Sequence, residues 1–339
     1  MSHLRQNIIT RDWVIIASDR GARPYDLPPK PRPEQAINTY EPSCPFCPGN
    51  EAMAADELAR TPGQGPWRLR VIQNKYPALV PEGDRVRRVD GIYRTMTGVG
   101  RHEVIVEHPR HDLMTATLPL ADLESLIMTY RGRYLEAHKD PRIESVVIFK
   151  NHGERAGTSL LHPHSQLAAT PVVPNQIRIR VEEAIRYFDD TGECVFCRTL
   201  REELKDRERI VTETDHFVGF VPYAALSPYH FWIFPRRHMS SFDAINDTEV
   251  RDLARNLHEV LAKMYQGLNN PDYNYSIRSM PTRSGPTDYF HWYLTIVPRI
   301  TRTAGFELGS GMFINSTSPE ESAAFLRGVS LPEQDSSGA

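Results

Sequence analysis

The stretch His162-Pro163-His164-Ser165-Gln166 follows the apolar run Val146-Val147-Ile148-Phe149 and a polar loop from Lys150 to Ser159. Side chains alternate along an extended chain, so His162, His164 and Gln166 fall on one face of a strand. In such a pair one imidazole can be held by a metal or a hydrogen bond while the other stays free. Imidazole is neutral and nucleophilic near pH 7, which suits attack on phosphorus as well as proton transfer. An isolated H-x-H carries little information, and its meaning here comes from the remainder of the chain.

The 339 residues are 40% hydrophobic and 24% charged, with a formal net charge of -3, an ordinary globular composition long enough for a large core or two domains. No apolar run approaches the roughly 20 residues of a membrane helix. Met1 to Arg11 is polar and lacks the apolar centre of a signal peptide. The near balance of charge provides no electrostatic case for a nucleic-acid or membrane partner. A cytoplasmic protein is expected.

The four cysteines form two pairs, Cys44-Pro-Phe-Cys47 and Cys194-Val-Phe-Cys197. In a reducing compartment such pairs are metal ligands or redox thiols more often than disulfides. Cys44 stands in a loop rich in proline (Pro42, Pro45, Pro48), which fits a zinc knuckle better than the helix-opening pair of a thioredoxin-type motif. Redox or plain structural thiols remain the alternative.

Each pair begins one of two similar halves. Cys44 and Cys47 are followed by strand-like Glu103–Glu107, Pro109-Arg110-His111, a helical segment, a strand and His162. Cys194 and Cys197 are followed by His230–Phe234, Pro235-Arg236-Arg237-His238, a helical segment, a strand and His291. His111 and His162 lie 51 positions apart, and His238 and His291 lie 53 apart, so the order and the spacing repeat together. The expected zinc sets are Cys44, Cys47, His111 and His162, and Cys194, Cys197, His238 and His291. Four protein ligands leave no place for water, so both sites are structural. Two positions after His162 stands His164, then Gln166; two after His291 stands Tyr293, then Thr295. The second half keeps the metal frame and loses the free imidazole, which leaves one active site per chain.

Period-2 and period-3.6 patterns predict an α+β fold. Strands are expected at Asp12–Ser18, Arg68–Gln73, Glu103–Glu107, Ser145–Phe149 and His164–Ala169, then at His216–Val221, His230–Phe234, Asn274–Arg278 and Trp292–Val297. Helices are expected at Leu120–His138, Gln176–Phe188, Thr248–Leu268 and Pro319–Arg327. Leu123, Leu126, Ile127, Tyr130 and Tyr134 make one helical stripe, and Leu253, Leu257, Val260, Leu261 and Met264 another. The picture is two pseudo-repeated units, residues 1–173 and 174–339, each an antiparallel sheet backed by helices, forming one continuous body.

These residues resemble the galactose-1-phosphate uridylyltransferase family, a branch of the histidine-triad superfamily. The resemblance rests on His162-Pro163-His164-Ser165-Gln166, Phe149-Lys150-Asn151 and Cys44-Pro-Phe-Cys47. It extends to Asp12-Trp13-Val14, Arg20-Gly-Ala-Arg23-Pro24, Asn74-Lys75-Tyr76-Pro77 and Gly305-Phe306-Glu307. Other histidine-triad branches carry a third histidine where this chain has Gln166. The family implies ping-pong transfer: His164 attacks the α-phosphorus of a nucleotide sugar, a sugar 1-phosphate leaves, and a second phosphate acceptor takes the nucleotide. It implies phosphate contacts at Asn151, Ser159 and Gln166, and a polar nucleotide anchor at Asn74. Arg20 and Arg23 would reach the nucleotide from the second subunit of a homodimer. The loop from Asn151 to Ser159, with Gly153 and Gly157, is suited to wrapping phosphate with backbone N–H groups.

Relatives nearest the galactose enzyme carry a Tyr-Glu pair near the C-terminus; here the run Gly305-Phe306-Glu307-Leu308-Gly309-Ser310-Gly311 places Ser310 and Gly311 there. That version resembles the branch containing ADP-glucose phosphorylase, whose acceptor is inorganic phosphate. The default expectation is a uridylyltransferase acting on UDP-glucose and a hexose 1-phosphate. The alternative within the same chemistry is a nucleotide-sugar phosphorylase or adenylyltransferase. A zinc-braced nucleotide-binding or hydrolase-like module is the reading from another class, and the free His164 with Gln166 argues against it.

Overall fold

A ten-stranded antiparallel sheet runs through the molecule, and its strand order is the same pattern read from either edge. The computed structural model describes residues 2–22 and 37–332. Along the chain come β1 (His3–Gln6), β2 (Trp13–Ile16), β3 (Glu57–Thr61), β4 (Leu69–Gln73), β5 (Arg87–Asp90), β6 (Tyr93–Met96), β7 (Arg101–Val106), α1 (Leu120–His138), β8 (Ser145–His152) and β9 (His164–Thr170). The helices α2 (Asn175–Thr191) and α3 (Val195–Asp206) follow. Then come β10 (Ile210–Glu213), β11 (Phe217–Phe220), β12 (Phe231–Pro235), α4 (Asp247–Gly267), β13 (Tyr273–Arg278), β14 (Tyr293–Pro298), α5 (Gly305–Ser310), β15 (Phe313–Asn315) and α6 (Pro319–Gly328).

The sheet order is β10-β11-β12-β14-β13-β8-β9-β7-β4-β3. Its first five strands, taken inward, mirror its last five: β10 matches β3, β11 matches β4, β12 matches β7, β14 matches β9 and β13 matches β8. The halves meet where β13 pairs with β8, Asn274 opposite Asn151. α1 connects β7 to β8 as α4 connects β12 to β13. A separate three-stranded sheet joins β1 and β2 to β15, so the two ends of the chain pair with each other.

Both helical stripes read from the sequence are buried. Leu123, Leu126, Ile127, Tyr130 and Tyr134 of α1 share one core with Leu253, Leu257, Val260, Leu261 and Met264 of α4, and that core spans both halves. Burying one such aliphatic side chain stabilises by about 1.5–3 kcal/mol. Burying a tyrosine hydroxyl costs free energy that a hydrogen bond offsets. Tyr130 donates to Ser165 Oγ at 2.7 Å and its oxygen lies 2.5 Å from that of Tyr275, tying α1 to a strand of each half. α4 starts in a capping box, with Glu249 N–H donating to Asn246 Oδ1 and Asn246 N–H to the Glu249 carboxylate.

The opposite face of the sheet is covered differently in the two halves. In the first, Phe46 and Trp67 lie with the Cys44–Cys47 loop on Ile72, Val104 and Val106. In the second, Val195, Phe196 and Leu200 of α3 lie on Trp232, Phe234 and Tyr293. α3 was not expected: Cys194 and Cys197 open a helix instead of standing in a loop like Cys44 and Cys47. The edge strands β3 and β10, the hairpin β5–β6 and the strands β1 and β15 were not expected either. Each is three to five residues long, too short for alternation to register, and is held by its neighbour.

Candidate active site

The site is built on β9. Ser165, Leu167 and Ala169 point toward α1, as the Tyr130–Ser165 bond and the shared core show. Alternation therefore sends His164 and Gln166 to the other face. His164 is buried with the edge of Phe46 against it, ring centroids 5.3 Å apart at 62°. Its Nδ1–H donates to the backbone carbonyl of His162 at 2.9 Å. A carbonyl only accepts, so the proton is on Nδ1 and the Nε2 lone pair is left free. Burial pushes the His164 imidazole below its ordinary pKa, which favours the neutral form a nucleophile needs. A cavity beside the ring is lined by Lys150, Asn151, Gly153, His162, His164 and Asn270 among others.

The backbone at His164 is anchored from the helix side. Lys150 Nζ donates to the His164 carbonyl at 2.9 Å and to the Glu107 carboxylate at 2.8 Å, and Thr115 Oγ1 donates to the other Glu107 oxygen at 2.9 Å. Lys150 and Glu107 are both almost fully buried. Neither was selected from the sequence, although a charge at the end of an apolar strand is a signal that a partner is needed.

Gln166 and Asn151 share the face of His164. The Gln166 Oε1 accepts from His102 Nε2 at 2.8 Å, and Asn151 Oδ1 accepts from Asn274 Nδ2 at 2.8 Å. Asn74 follows β4; its Oδ1 caps the Tyr76 N–H at 2.9 Å and its Nδ2 lies 3.2 Å from His102 Nε2. Sequence reasoning singled out Asn74, Asn151 and Gln166 but neither His102 nor Asn274, which connect them to the rest of the fold. Ser159 is exposed in the loop after β8 and does not line the cavity. Arg20 stands in a short turn after β2, its N–H bonded to Ala17, and no contact among the described residues takes it to the cavity. Arg23 lies outside the described residues.

The loop from Gly153 to Thr158 departs from the expectation that its amides wrap phosphate. The Arg155 N–H donates to Asp272 Oδ2 at 2.7 Å, and those of Ala156, Gly157 and Thr158 donate to carbonyls within the loop. Gly153 has φ of +85°, and a Cβ there would come within 2.0 Å of Asp272 Oδ1, so only glycine allows this closeness. One of these four amides pins the loop to the second half, and the other three close the loop on itself.

Both cysteine-histidine sets assemble. The ligand atoms of Cys44, Cys47, His111 and His162 lie within 4.8 Å of one another, as do those of Cys194, Cys197, His238 and His291, and each set is placed to hold a metal ion. In the first set both histidines present Nδ1 to Cys47 Sγ, at 3.5 and 3.6 Å. His162 Nε2–H donates to the His108 carbonyl at 2.7 Å, and His238 Nε2–H to that of Thr287 at 2.8 Å, which leaves Nδ1 as the ligand in each. In the second half the position of His164 is taken by Tyr293, buried among Phe196, Trp232 and Phe234.

Profiles described as the N-terminal and C-terminal domains of galactose-1-phosphate uridyl transferase match residues 1–174 and 180–307. The chain belongs to the galactose-1-phosphate uridylyltransferase family. It is 37% identical to an ADP-glucose phosphorylase of Arabidopsis thaliana, over 97% of this chain and 93% of that one. To the galactose-1-phosphate uridylyltransferase of Thermotoga maritima it is 28% identical, over 96% and 98%. The crystal structure of the Arabidopsis phosphorylase with bound ADP-glucose superposes with a TM-score of 0.84 at 34% identity, covering 98% of this chain and all of that one. Membership makes the chain an enzyme of the uridylyltransferase type, a nucleotidyltransferase, on the expected α+β fold.

Replacing Lys150 by methionine leaves Glu107 buried without its cation. Breaking a buried pair from one side costs about 3–5 kcal/mol. Denaturant unfolding of K150M is expected to show a loss of that size, and an unchanged midpoint would mean the pair is not closed in solution.

Proposed function

We propose that this protein transfers a nucleoside monophosphate from a nucleotide sugar to a phosphate acceptor through a covalent nucleotidyl-His164. The observation that carries this reading is the His164 Nδ1–H to His162 carbonyl bond, which leaves Nε2 as a lone pair beside a cavity. Nε2 attacks the α-phosphorus, the bond from phosphorus to the bridging oxygen breaks, and sugar 1-phosphate departs as an anion that needs no proton. The positive charge on the ring is held by the carbonyl at Nδ1. An oxygen of the incoming phosphate then attacks the same phosphorus, the P–N bond breaks, and the electron pair returns to Nε2. Gln166 and Asn151 supply amide donors to the non-bridging oxygens. Gln166 cannot move protons as a third histidine would, which disfavours water and suits an acceptor that is already anionic.

Two donors fit this chemistry. The family's name supports UDP-glucose with a hexose 1-phosphate acceptor. The 37% identity to the Arabidopsis phosphorylase, together with Ser310 and Gly311 in place of a Tyr-Glu pair, favours ADP-glucose with inorganic phosphate. The catalytic half is residues 1–173, and residues 174–339 are its counterpart without a nucleophile. We place the enzyme in the cytoplasm, where its thiols stay reduced; no helix of the described residues is long and apolar enough to cross a membrane. In a homodimer Arg20 and Arg23 would complete the nucleotide pocket of the second subunit.

The metal we assign to both sets is zinc. Zinc bonds of about 2.3 Å to sulfur and 2.0–2.1 Å to nitrogen give a tetrahedron with S···N edges of about 3.6 Å. The Cys47 edges measure 3.5 and 3.6 Å and the Cys197 edges 3.2 and 3.3 Å. Burial raises the Cys44 thiol pKa to about 11 and lowers His162 to about 3, so a cation is what would make this cluster of thiolate and neutral imidazole stable. Zinc would fix the carbonyl of His162, and the chemistry at phosphorus would remain with His164.

Incubation with labelled ADP-glucose or UDP-glucose is expected to leave an acid-labile, base-stable nucleotide on His164, found by mass spectrometry and abolished in H164G. Folded protein that takes label from neither donor removes the transfer reading, and the donor that labels settles the base. Metal analysis should find two zinc ions per chain. Cys44→Ser should remove one and lower the melting temperature, and acidification should release both as the ligands protonate. Sedimentation equilibrium should give a dimer; a monomer at micromolar concentration would remove the shared pocket.

A further inference from the structure

Two carboxamides face the nucleophile, and in each the oxygen is already occupied. On β7, His102 stands opposite Ala168 of β9, one step diagonal from Gln166. The backbone N–H of Ala78 donates to His102 Nδ1 at 3.1 Å. An imidazole nitrogen that accepts carries no proton, so in the neutral ring the proton is on Nε2. Nε2–H then donates to Gln166 Oε1 at 2.8 Å, and the Asn74 amide nitrogen 3.2 Å away, itself a donor, makes no bond to it. On β13, Asn274 Nδ2 donates to the Ala156 carbonyl at 2.9 Å, so this atom is the nitrogen, and its second hydrogen goes to Asn151 Oδ1 at 2.8 Å. Arg299 Nε donates to Asn274 Oδ1 from behind. Among the described residues neither the Gln166 nor the Asn151 amide nitrogen has a hydrogen-bond partner.

We propose that His102 and Asn274 are positioning residues that turn Gln166 and Asn151 so that both present N–H2, and never oxygen, to the phosphate at His164. The inference rests on the nucleotidyl transfer set out above. A free carboxamide is close to symmetrical in shape, and one turned through 180° would set an oxygen against a phosphate oxygen. Backbone amides and carbonyls cannot exchange roles, so Ala78 and Ala156 transmit a fixed polarity through one intervening side chain each. His102 also binds the nucleotide-pocket segment at both ends, since the Asn74 N–H donates to the His102 carbonyl at 2.9 Å. Asn274 belongs to the half without a nucleophile, which therefore contributes to the site of the other half.

The repeat supplies a competing reading. Continuing the register of β12 on β14 by two residues beyond Trp232–Thr295 places His230 opposite Val297, as His102 stands opposite Ala168. His230 Nδ1 accepts from the Leu226 N–H at 3.2 Å, and its Nε2 lies 2.9 Å from Thr295 Oγ1. The imidazole is thus kept where no reaction occurs, and a test has to separate orientation from packing.

Double-mutant cycles make that separation. The readout is the single-turnover rate of nucleotide adduct formation with ADP-glucose or UDP-glucose, whichever labels the wild-type protein. H102L is expected to slow labelling about ten- to a hundredfold, the loss of one well-placed donor, and to add no slowing in a Gln166→Leu background. H102Q, whose amide can still donate to Gln166, should recover most of the rate. N274A should behave the same way against N151A, on a different strand, so the inference stays testable if H102L fails to fold. Wild-type labelling with penalties that multiply in both cycles overturns the positioning role and leaves the transfer intact. A wild-type protein that takes no label from either donor overturns both.

Discussion

A 2.9 Å hydrogen bond from His164 Nδ1 to the carbonyl two residues earlier decides which lone pair the His164 ring keeps, and much of the surrounding structure serves to hold its two ends. The acceptor end belongs to His162, whose ring stands in a cysteine-histidine set. The donor end belongs to a residue whose own carbonyl is gripped by Lys150. A single buried lysine cannot stay charged without an anion beside it, so Glu107 is required, and Thr115 satisfies the remaining carboxylate oxygen. The chain of bonds runs from the helix-covered side of the sheet to the side that carries His164 through the backbone of β9.

The same sheet pattern built twice shows what the chemistry needs beyond the scaffold. Both halves carry the strand order, the crossover helix and the cysteine-histidine set. In the first a cavity lies beside His164. In the second, α3 closes that face, and Tyr293, Phe196, Trp232 and Phe234 fill it with rings. Because β8 and β13 pair across the middle, the second half still reaches the His164 side of the first: Asn274 meets Asn151, and Asp272 pins the loop after β8.

Local patterns were the legible part of the fold. The α1 boundaries Leu120–His138 coincide with the helix expected around the apolar stripe, and the strands from β7 to β9 and β12 to β14 lie within two or three residues of their alternating runs. The metal sets were legible as well, because the repeat offered two independent copies of one long-range pattern. α3 was not legible because a helix opening and a loop knuckle share the C-x-x-C spacing of Cys194-Val-Phe-Cys197. The amides of the loop from Gly153 to Thr158 were credited to phosphate because sequence does not show which carbonyls and carboxylates lie within reach.

The sequence by itself determined the repeated α+β pattern, the two cysteine-histidine sets, the His164 outside them and the family. These depend on periodicity, on spacing and on residue type, which are properties of position along the chain. Only the tertiary structure decided the proton on Nδ1 of His164, the burial of Lys150 against Glu107, and the partners His102 and Asn274. The first follows from the local conformation that brings the His164 ring to the carbonyl two residues earlier. The others are settled by strand register, in which residues tens to more than a hundred positions apart come within hydrogen-bond distance, and a one-residue slip would reverse every facing side chain.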